Sequence, residues 1–251
     1  MPALIFDCDG VLADTERDGH RPAFNQAFAE AGLGVVWDEA EYGRRLRIGG
    51  GKERIASLFP DADERRDQIL DLHKRKTAIY KEIVRAGRLP GRPGIARIVD
   101  EALTAGWRLA VASTSAEESV RAVLEHVVGA DTAANFAVFA GDVVPAKKPD
   151  PGIYLLAVDQ LGMGPDEAIV VEDSRNGLLA AVGAGLRCVV TVSGYTADED
   201  MSEAALVVTS LGDPGEPARV LANRSAARPG AEVTIRDLET CLSEPRQEEA
   251  V

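Results

Sequence analysis

The sequence predicts an α/β fold: a doubly wound (Rossmann-like) parallel sheet core with an inserted all-helical cap domain. Three observations carry this. Short apolar, often β-branched runs recur at residues 4–6, 108–113, 136–140, 168–173, 187–192 and 205–210, and such runs suit strands buried on both faces of a parallel sheet. Helical patterns at 95–105, 117–128, 151–161 and 177–184 separate most of them, and this alternation winds a right-handed parallel sheet. Between residues 15 and 89 the rhythm stops: apolar residues recur at helical spacing, with no convincing strand.

The first strand, Ala3-Leu4-Ile5-Phe6, runs straight into Asp7-Cys8-Asp9-Gly10. Ligand sites in parallel sheets lie off the carboxyl ends of the strands. Two acids at i and i+2 on such an end can face one way, and their repulsion calls for a divalent cation or a shared proton. Gly10 lets the chain turn sharply beside them. In the insertion, Ala23, Phe24, Ala27 and Phe28 form one stripe and Ile55, Leu58 and Phe59 another. Ile69, Leu70 and Leu72 with Ile79, Tyr80, Ile83 and Val84 predict a longer helix or a pair. Turn-forming residues at Asp14-Thr15-Glu16 and Leu89-Pro90-Gly91-Arg92-Pro93-Gly94 mark hinges at its two exits. The expected division is therefore a core of residues 1–14 and 90–251 and a helical domain of 15–89. From Asp213 the chain is rich in Pro, Gly and charge; residues 233–242 suggest an edge strand and a short helix, and 244–251 a frayed tail.

With 251 residues, 45% hydrophobic and 27% charged, the chain is an ordinary globular protein with room for a core domain and a smaller one. A formal charge of −13 argues against nucleic acid or an anionic membrane as partner. It leaves open a small phosphate ester, which needs only a local cluster of Lys, Arg, N–H groups and metal. Cys8, Cys188 and Cys241 show neither disulfide nor zinc spacing; Cys8 and Cys188, in or beside apolar strands, read as inert buried thiols. With no signal-peptide pattern and no long apolar span, the expected location is the cytoplasm, or an organellar stroma if a transit peptide has been removed. The expected state is a monomer.

Four strand ends, in order, offer Asp7/Asp9, Ser113-Thr114-Ser115, Lys148-Pro149 and Glu172-Asp173. All belong to one edge of a parallel sheet, so the side chains can converge. Each has a plain alternative. The Ser-Thr-Ser run, or Asp173 and Ser174, could cap the next helix, and Lys148 could be a solvated loop charge, with Lys147 competing for its role. Together they fit phosphoryl transfer. A carboxylate attacks phosphorus, splitting one hard displacement into two; a hydroxyl and a Lys hold the equatorial oxygens, and an acid-bound Mg²⁺ offsets charge.

The set Asp7-Cys-Asp9-Gly10-Val11, Ala112-Ser113, Lys148-Pro149-Asp150-Pro151 and Glu172-Asp173-Ser174 resembles the four motifs of haloacid-dehalogenase-superfamily phosphatases, and the insertion resembles their C1-type cap. Asp14-Thr15-Glu16, His20-Arg21, Gly50-Gly51-Lys52-Glu53-Arg54, residues 73–77, 139–144 and 193–196 are similar to the CbbY-type sugar-phosphate phosphatases. That family is associated with removing the 1-phosphate of xylulose 1,5-bisphosphate, a misfire product that inhibits Rubisco. A third glycine, Gly49, and an extra residue before His20 look like its plant-type branch.

The resemblance implies Asp7 as nucleophile and Mg²⁺ ligand, and Asp9 as general acid and base that also gives its backbone oxygen to the metal. It implies Ser113 and Lys148 as phosphoryl ligands and Asp173 as a metal ligand. Glu172 is either a ligand through water or an acid behind the ligands. Substrate contacts would come from Glu16, His20, Gly50, Gly51, Lys52, Glu53, Lys76, Thr114 and Ser115, with Lys52 and Lys76 the cations for the phosphate that is not cleaved. The expected activity is thus a Mg²⁺-dependent phosphatase of a small phosphorylated sugar, acting through an aspartyl-phosphate, most specifically on xylulose 1,5-bisphosphate. A β-phosphoglucomutase-like mutase is the nearest alternative. A signalling receiver would place its phosphorylated Asp in mid-domain and have no use for the cap, and a 2-haloacid dehalogenase would need neither Asp9 nor the metal set.

Overall fold

The computed structural model describes residues 1–243. A seven-stranded sheet runs in the order β3-β2-β1-β4-β5-β6-β7: β1 (Ala3–Phe6), β2 (Arg108–Ser113), β3 (Phe136–Ala140), β4 (Ala168–Glu172), β5 (Arg187–Thr191), β6 (Leu206–Val208) and β7 (Val220–Asn223). All pairings are parallel except β6 with β7. Phe6 is level with Val111 and Val171, so Asp7, Ser113 and Glu172 leave the sheet at one edge.

The alternation of the strands sorts two cores. Leu4, Phe6, Leu109, Val111, Ile169 and Val171 face one way, toward α5 (Ile95–Thr104), α6 (Glu117–Val128), the short α7 (Ala130–Ala133) and α10 (Ile235–Ser243). Ala3, Ile5, Ala110, Val170 and Val190 face the other way, toward α8 (Gly152–Leu161) and α9 (Arg175–Gly183). Burial on both sides is why these strands read as unbroken apolar runs.

Between β1 and α5 lie a π-helical turn (Glu16–His20), α1 (Arg21–Glu30), α2 (Glu39–Arg45), α3 (Gly51–Ala56) and α4 (Arg66–Arg85). Residues 69–84 form a single helix, resolving the pair left open by the sequence. Its stripe serves two purposes: Ile69 and Leu72 join a separate core with Phe24, Phe28, Trp37 and Tyr42, while Ile79, Tyr80, Ile83 and Val84 continue the sheet core. Trp37 lies 5.0 Å from Phe24 and 4.8 Å from Phe28, ring to ring. The Asn25 side chain fixes it by bonding both its N–H and its carbonyl.

Two expectations need correction. The edge strand is β7 at Val220–Asn223, not within 233–242; Val233 is a buried coil residue whose N–H bonds the Leu211 carbonyl at 2.8 Å. β7 escaped notice because Val220 and Leu221 are exposed beside Arg219, and what recruits it is the unpaired edge of β6 rather than burial. The helix expected from Gly177 begins at Arg175, capped by Ser174, whose hydroxyl accepts from the Gly177 N–H. The expected frayed tail, 244–251, lies outside the described residues. No described helix is long and apolar enough to cross a membrane.

Candidate active site

At the carboxyl edge of the sheet, the Asp7 N–H bonds the Val171 carbonyl at 2.9 Å, carrying the β1–β4 pairing one residue past the strand. Asp7 is thereby held where the buried Lys148 ammonium donates to its Oδ1 at 2.7 Å, to Glu172 Oε1 at 2.6 Å and to the Ala112 carbonyl at 2.9 Å. Lys147 instead pairs with Glu53 at 3.2 Å, which decides between the neighbouring lysines. The Tyr154 hydroxyl, on α8, donates to the same Glu172 oxygen at 2.5 Å, and Glu172 Oε2 accepts the Asp173 N–H at 3.1 Å. Both oxygens of Glu172 are therefore engaged by protein, and it acts on Lys148 and Asp173 from behind. Its seat requires a bare α9: a Cβ on Gly177 would lie 1.9 Å from the Glu172 carboxyl carbon. Gly10, at φ +80°, leaves the same kind of room for Asp173, whose Oδ2 would be 2.1 Å from an added Cβ.

Asp9 has a different environment. Its Oδ1 accepts from Thr15 Oγ1 at 2.5 Å and from His20 Nε2 at 3.0 Å, and its Oδ2 accepts from Ser115 Oγ. Lys76 Nζ stands 2.8 Å from His20 Nδ1; an ammonium can only donate, so Nδ1 accepts and the ring proton sits on Nε2, toward Asp9. His20 stacks on Tyr80 with ring centres 3.9 Å apart. Ser113 is buried and its hydroxyl accepts the Ser115 N–H at 3.2 Å; none of Ser113, Thr114 or Ser115 caps α6, whose N-cap is Ala116.

Electrostatics separate the two acids. Burial, with the charges of Glu172 and Asp9 adding and Lys148 opposing, pushes Asp7 up to about 7. Burial would also raise Asp9, but His20, Ser115 and Thr15 outweigh it and hold Asp9 well below the usual carboxylate range. Asp173 is pushed well up by burial and by the nearby Glu172 and Asp7. Oxygens of Asp7, Glu172 and Asp173 lie within 4.8 Å of one another. Three buried carboxylates with one ammonium carry more negative charge than the site can hold ionised, and a hard divalent cation bound by oxygen is the group that fits. The Asp9 carboxylate stands outside this cluster, committed to its three donors.

Asp7, Asp9, Ser113, Thr114, Ser115, Lys148, Glu172 and Asp173 form the sheet side of a cleft of about 1030 Å³. Glu16, His20, Gly50, Gly51, Lys52 and Lys76 line it from the helical side. Glu53, expected in the site, does not line it; its carboxylate folds back over Gly50 toward Lys147. Lys52 reaches across to Asp142 at 3.1 Å. Glu16 accepts the Tyr42 hydroxyl proton, and Arg54 Nη1 bonds that hydroxyl at 2.9 Å. Burial lowers Lys76 to about 8, and burial with the charges of Lys76 and Lys52 lowers His73 to about 4.

Several groups in or behind the cleft had no sequence signal of their own. Tyr154 reads as one apolar residue in an apolar helix, and its hydroxyl partner exists only through packing. Ala40, Gly43, Arg44 and Arg47 follow helical spacing along α2 and its continuation and all line the cleft. Arg44 is tied to Glu41, whereas Arg47 forms no ion pair among the described residues.

Comparison with known proteins finds relatives over most of the chain. The family model described as haloacid dehalogenase-like hydrolase matches residues 1–185. A CBBY-like protein of Arabidopsis thaliana is 50% identical over 224 residues, 85% of this chain and 70% of its own. The protein CbbY (plasmid) of Cupriavidus necator is 44% identical over 225 residues, 86% of this chain and 88% of its own. Among solved structures, a mutant of CbbY from Rhodobacter sphaeroides in complex with xylulose-(1,5)bisphosphate superposes with a TM-score of 0.76 at 41% identity, covering 84% of this chain and 95% of that one.

Proposed function

The chain belongs to the haloacid dehalogenase-like hydrolases and is a phosphatase of their CbbY-like branch; on that premise we propose that it hydrolyses xylulose 1,5-bisphosphate to xylulose 5-phosphate through an aspartyl-phosphate, with Mg²⁺ as cofactor. The observation that carries this reading is the pairing of two unlike acids on one strand end. Asp7 is held by Lys148 on one oxygen, and Asp9, two residues on, is held by donors that favour its charge. The bisphosphate as substrate rests on the relative solved with it.

In this reading the second oxygen of Asp7 attacks phosphorus, while Lys148 and Ser113 bind the equatorial oxygens of the transferring group. Asp9 gives a proton to the leaving sugar oxygen as the P–O bond breaks, then takes one from the water that hydrolyses the phospho-Asp7 bond. As held here Asp9 is ionised, the form that accepts a proton. Acting as an acid requires exchanging the bonds from Thr15, His20 and Ser115 for one to the leaving oxygen. Asp7 and Asp173, with Glu172 behind them, would hold Mg²⁺, which when bound offsets the charge between nucleophile and phosphate. Residues 15–89 would act as a cap that excludes bulk water, with Glu16 and His20 meeting the sugar and Lys52 and Lys76 the second phosphate.

The test is phosphate release from a panel of phosphosugars, xylulose 1,5-bisphosphate included, with Mg²⁺ or with EDTA. EDTA-sensitive preference for that bisphosphate is expected. Equal, weak turnover across the panel would overturn the substrate, and full activity in EDTA the cofactor.

A further inference from the structure

Arg92, in the return segment 89–94, makes an unusual set of bonds. Its own N–H donates to the Leu12 carbonyl at 2.9 Å. Its guanidinium donates to four main-chain carbonyls: Gly10, Thr191 at 2.9 Å, Val192 at 2.8 Å and Thr209 at 2.6 Å. Thr191 ends β5 and Thr209 follows β6, so one side chain ties the carboxyl ends of two neighbouring strands to the turn after Asp9. A planar fork with several donors can satisfy such a group of acceptors; an ammonium cannot span it. The neighbouring chain is held the same way. Gly91 bridges Ala13, Ala13 bridges Asp9, and the Gly10 N–H bonds the Ala13 carbonyl at 3.0 Å.

Asp9 is thus gripped from two directions. Thr15, His20 and Ser115 hold its carboxylate, but those bonds must be given up when it protonates a leaving group. What then still aims the side chain is the main chain of the turn, and Arg92 fixes that turn. We propose that Arg92 is a positioning residue for proton transfer by Asp9, anchoring the Gly10 turn to the ends of β5 and β6 while the bonds to the carboxylate are exchanged. The inference rests on Asp9 serving as the general acid.

The experiment compares kcat/KM, which covers only the steps up to departure of the leaving group, for two esters. One is the sugar phosphate of the panel with the highest kcat/KM, whose alkoxide needs a proton; the other is acetyl phosphate, whose acetate does not. Arg92→Gln is expected to lose about tenfold or more on the sugar phosphate and less than about threefold on acetyl phosphate, a fraction of the range general acid catalysis covers. Arg92→Lys, which keeps the charge and part of the carbonyl contacts, should lose less in the same pattern, and it carries the test if Arg92→Gln does not fold. Amide exchange over residues 10–13 should quicken in both. Equal losses on the two esters, or none, would overturn the role of Arg92. Asp9→Asn in parallel separates the premise: if it too loses equally on both esters, Asp9 is not the acid and the inference falls with it.

Discussion

Lys76 offers a sharp test of how the site trades stability for charge. The residue is only 6% exposed, its ammonium sits 4.6 Å from the centre of the Phe24 ring and 5.4 Å from that of Tyr80, and no carboxylate among the described residues bonds it. Burial lowers it from 10.5 to about 8, a difference of about 3 kcal/mol between charged and neutral forms. The folded value lies below the unfolded one, so between about 8 and 10.5 the unfolded chain binds more protons and stability rises with pH. Below about 8 the full cost of burying the charge is present. Lys76→Met keeps the length and removes the charge. It also forfeits the ring contacts and the bond to His20, each worth about 1 kcal/mol, leaving a net gain near 1 kcal/mol at neutral pH.

The pH dependence is cleaner than the absolute gain, because titrating groups that do not feel the Lys76 charge cancel in the comparison. Integrating the linkage relation, the advantage of Met over Lys should shrink by about 2 kcal/mol between pH 7 and pH 10, the wild type alone gaining. Urea unfolding of both proteins at the two pH values measures it, with phosphate release assayed alongside; Lys76→Met should be more stable at pH 7 and poorer on the bisphosphate. A stability gap that does not change with pH would refute the reasoning, since it would mean that the ammonium is not desolvated in the folded protein.

The other predictions concern the acids and the remote phosphate. Asp7→Asn should abolish phosphate release while preserving the fold by circular dichroism, and near-normal turnover would sink the nucleophile. Asp173→Asn should weaken Mg²⁺ binding by about 100-fold in calorimetry of the metal alone, the upper range for disturbing the shell of a metal site; an unchanged isotherm would place the cation elsewhere. Arg47→Ala should raise KM for the bisphosphate about tenfold, or about 1.4 kcal/mol, and leave KM for a monophosphate unchanged. Parallel increases in both would show that this unpaired cleft cation does not read the second phosphate.

The sheet was legible because burial on both faces writes strands as apolar runs, and the site because parallel strands end at one edge. Asp7, Ser113 and Asp173 therefore come together as their order along the chain implies, whereas Lys148, expected at a strand end, joins them from the loop between β3 and α8. The partners were not legible. That both oxygens of Glu172 are engaged by Lys148, Tyr154 and the Asp173 N–H follows from α8 packing beneath the sheet, which no local pattern encodes. The pairing of Glu53 with Lys147 was not legible either, because a short helix after a glycine loop points as readily along the rim as into the cleft. β7 was missed because an exposed edge strand lacks the apolar run that marks a buried one.

The grip on Asp9 also explains why a D-x-D-G turn alone cannot specify the chemistry. Two of its carboxylate's donors, Thr15 and His20, enter with the helical segment, and the third, Ser115, follows β2. Those donors are what overcome burial and keep Asp9 ionised. A movement of the helical segment away from the sheet would withdraw Thr15 and His20 together, and burial would then favour the protonated acid. The proton affinity of the proposed acid is in this way coupled to the position of residues 15–89, while Arg92, bonded to the sheet side throughout, keeps the turn that carries it in place. In the proposed reaction, proton transfer would be built from the strand end and timed by the insertion.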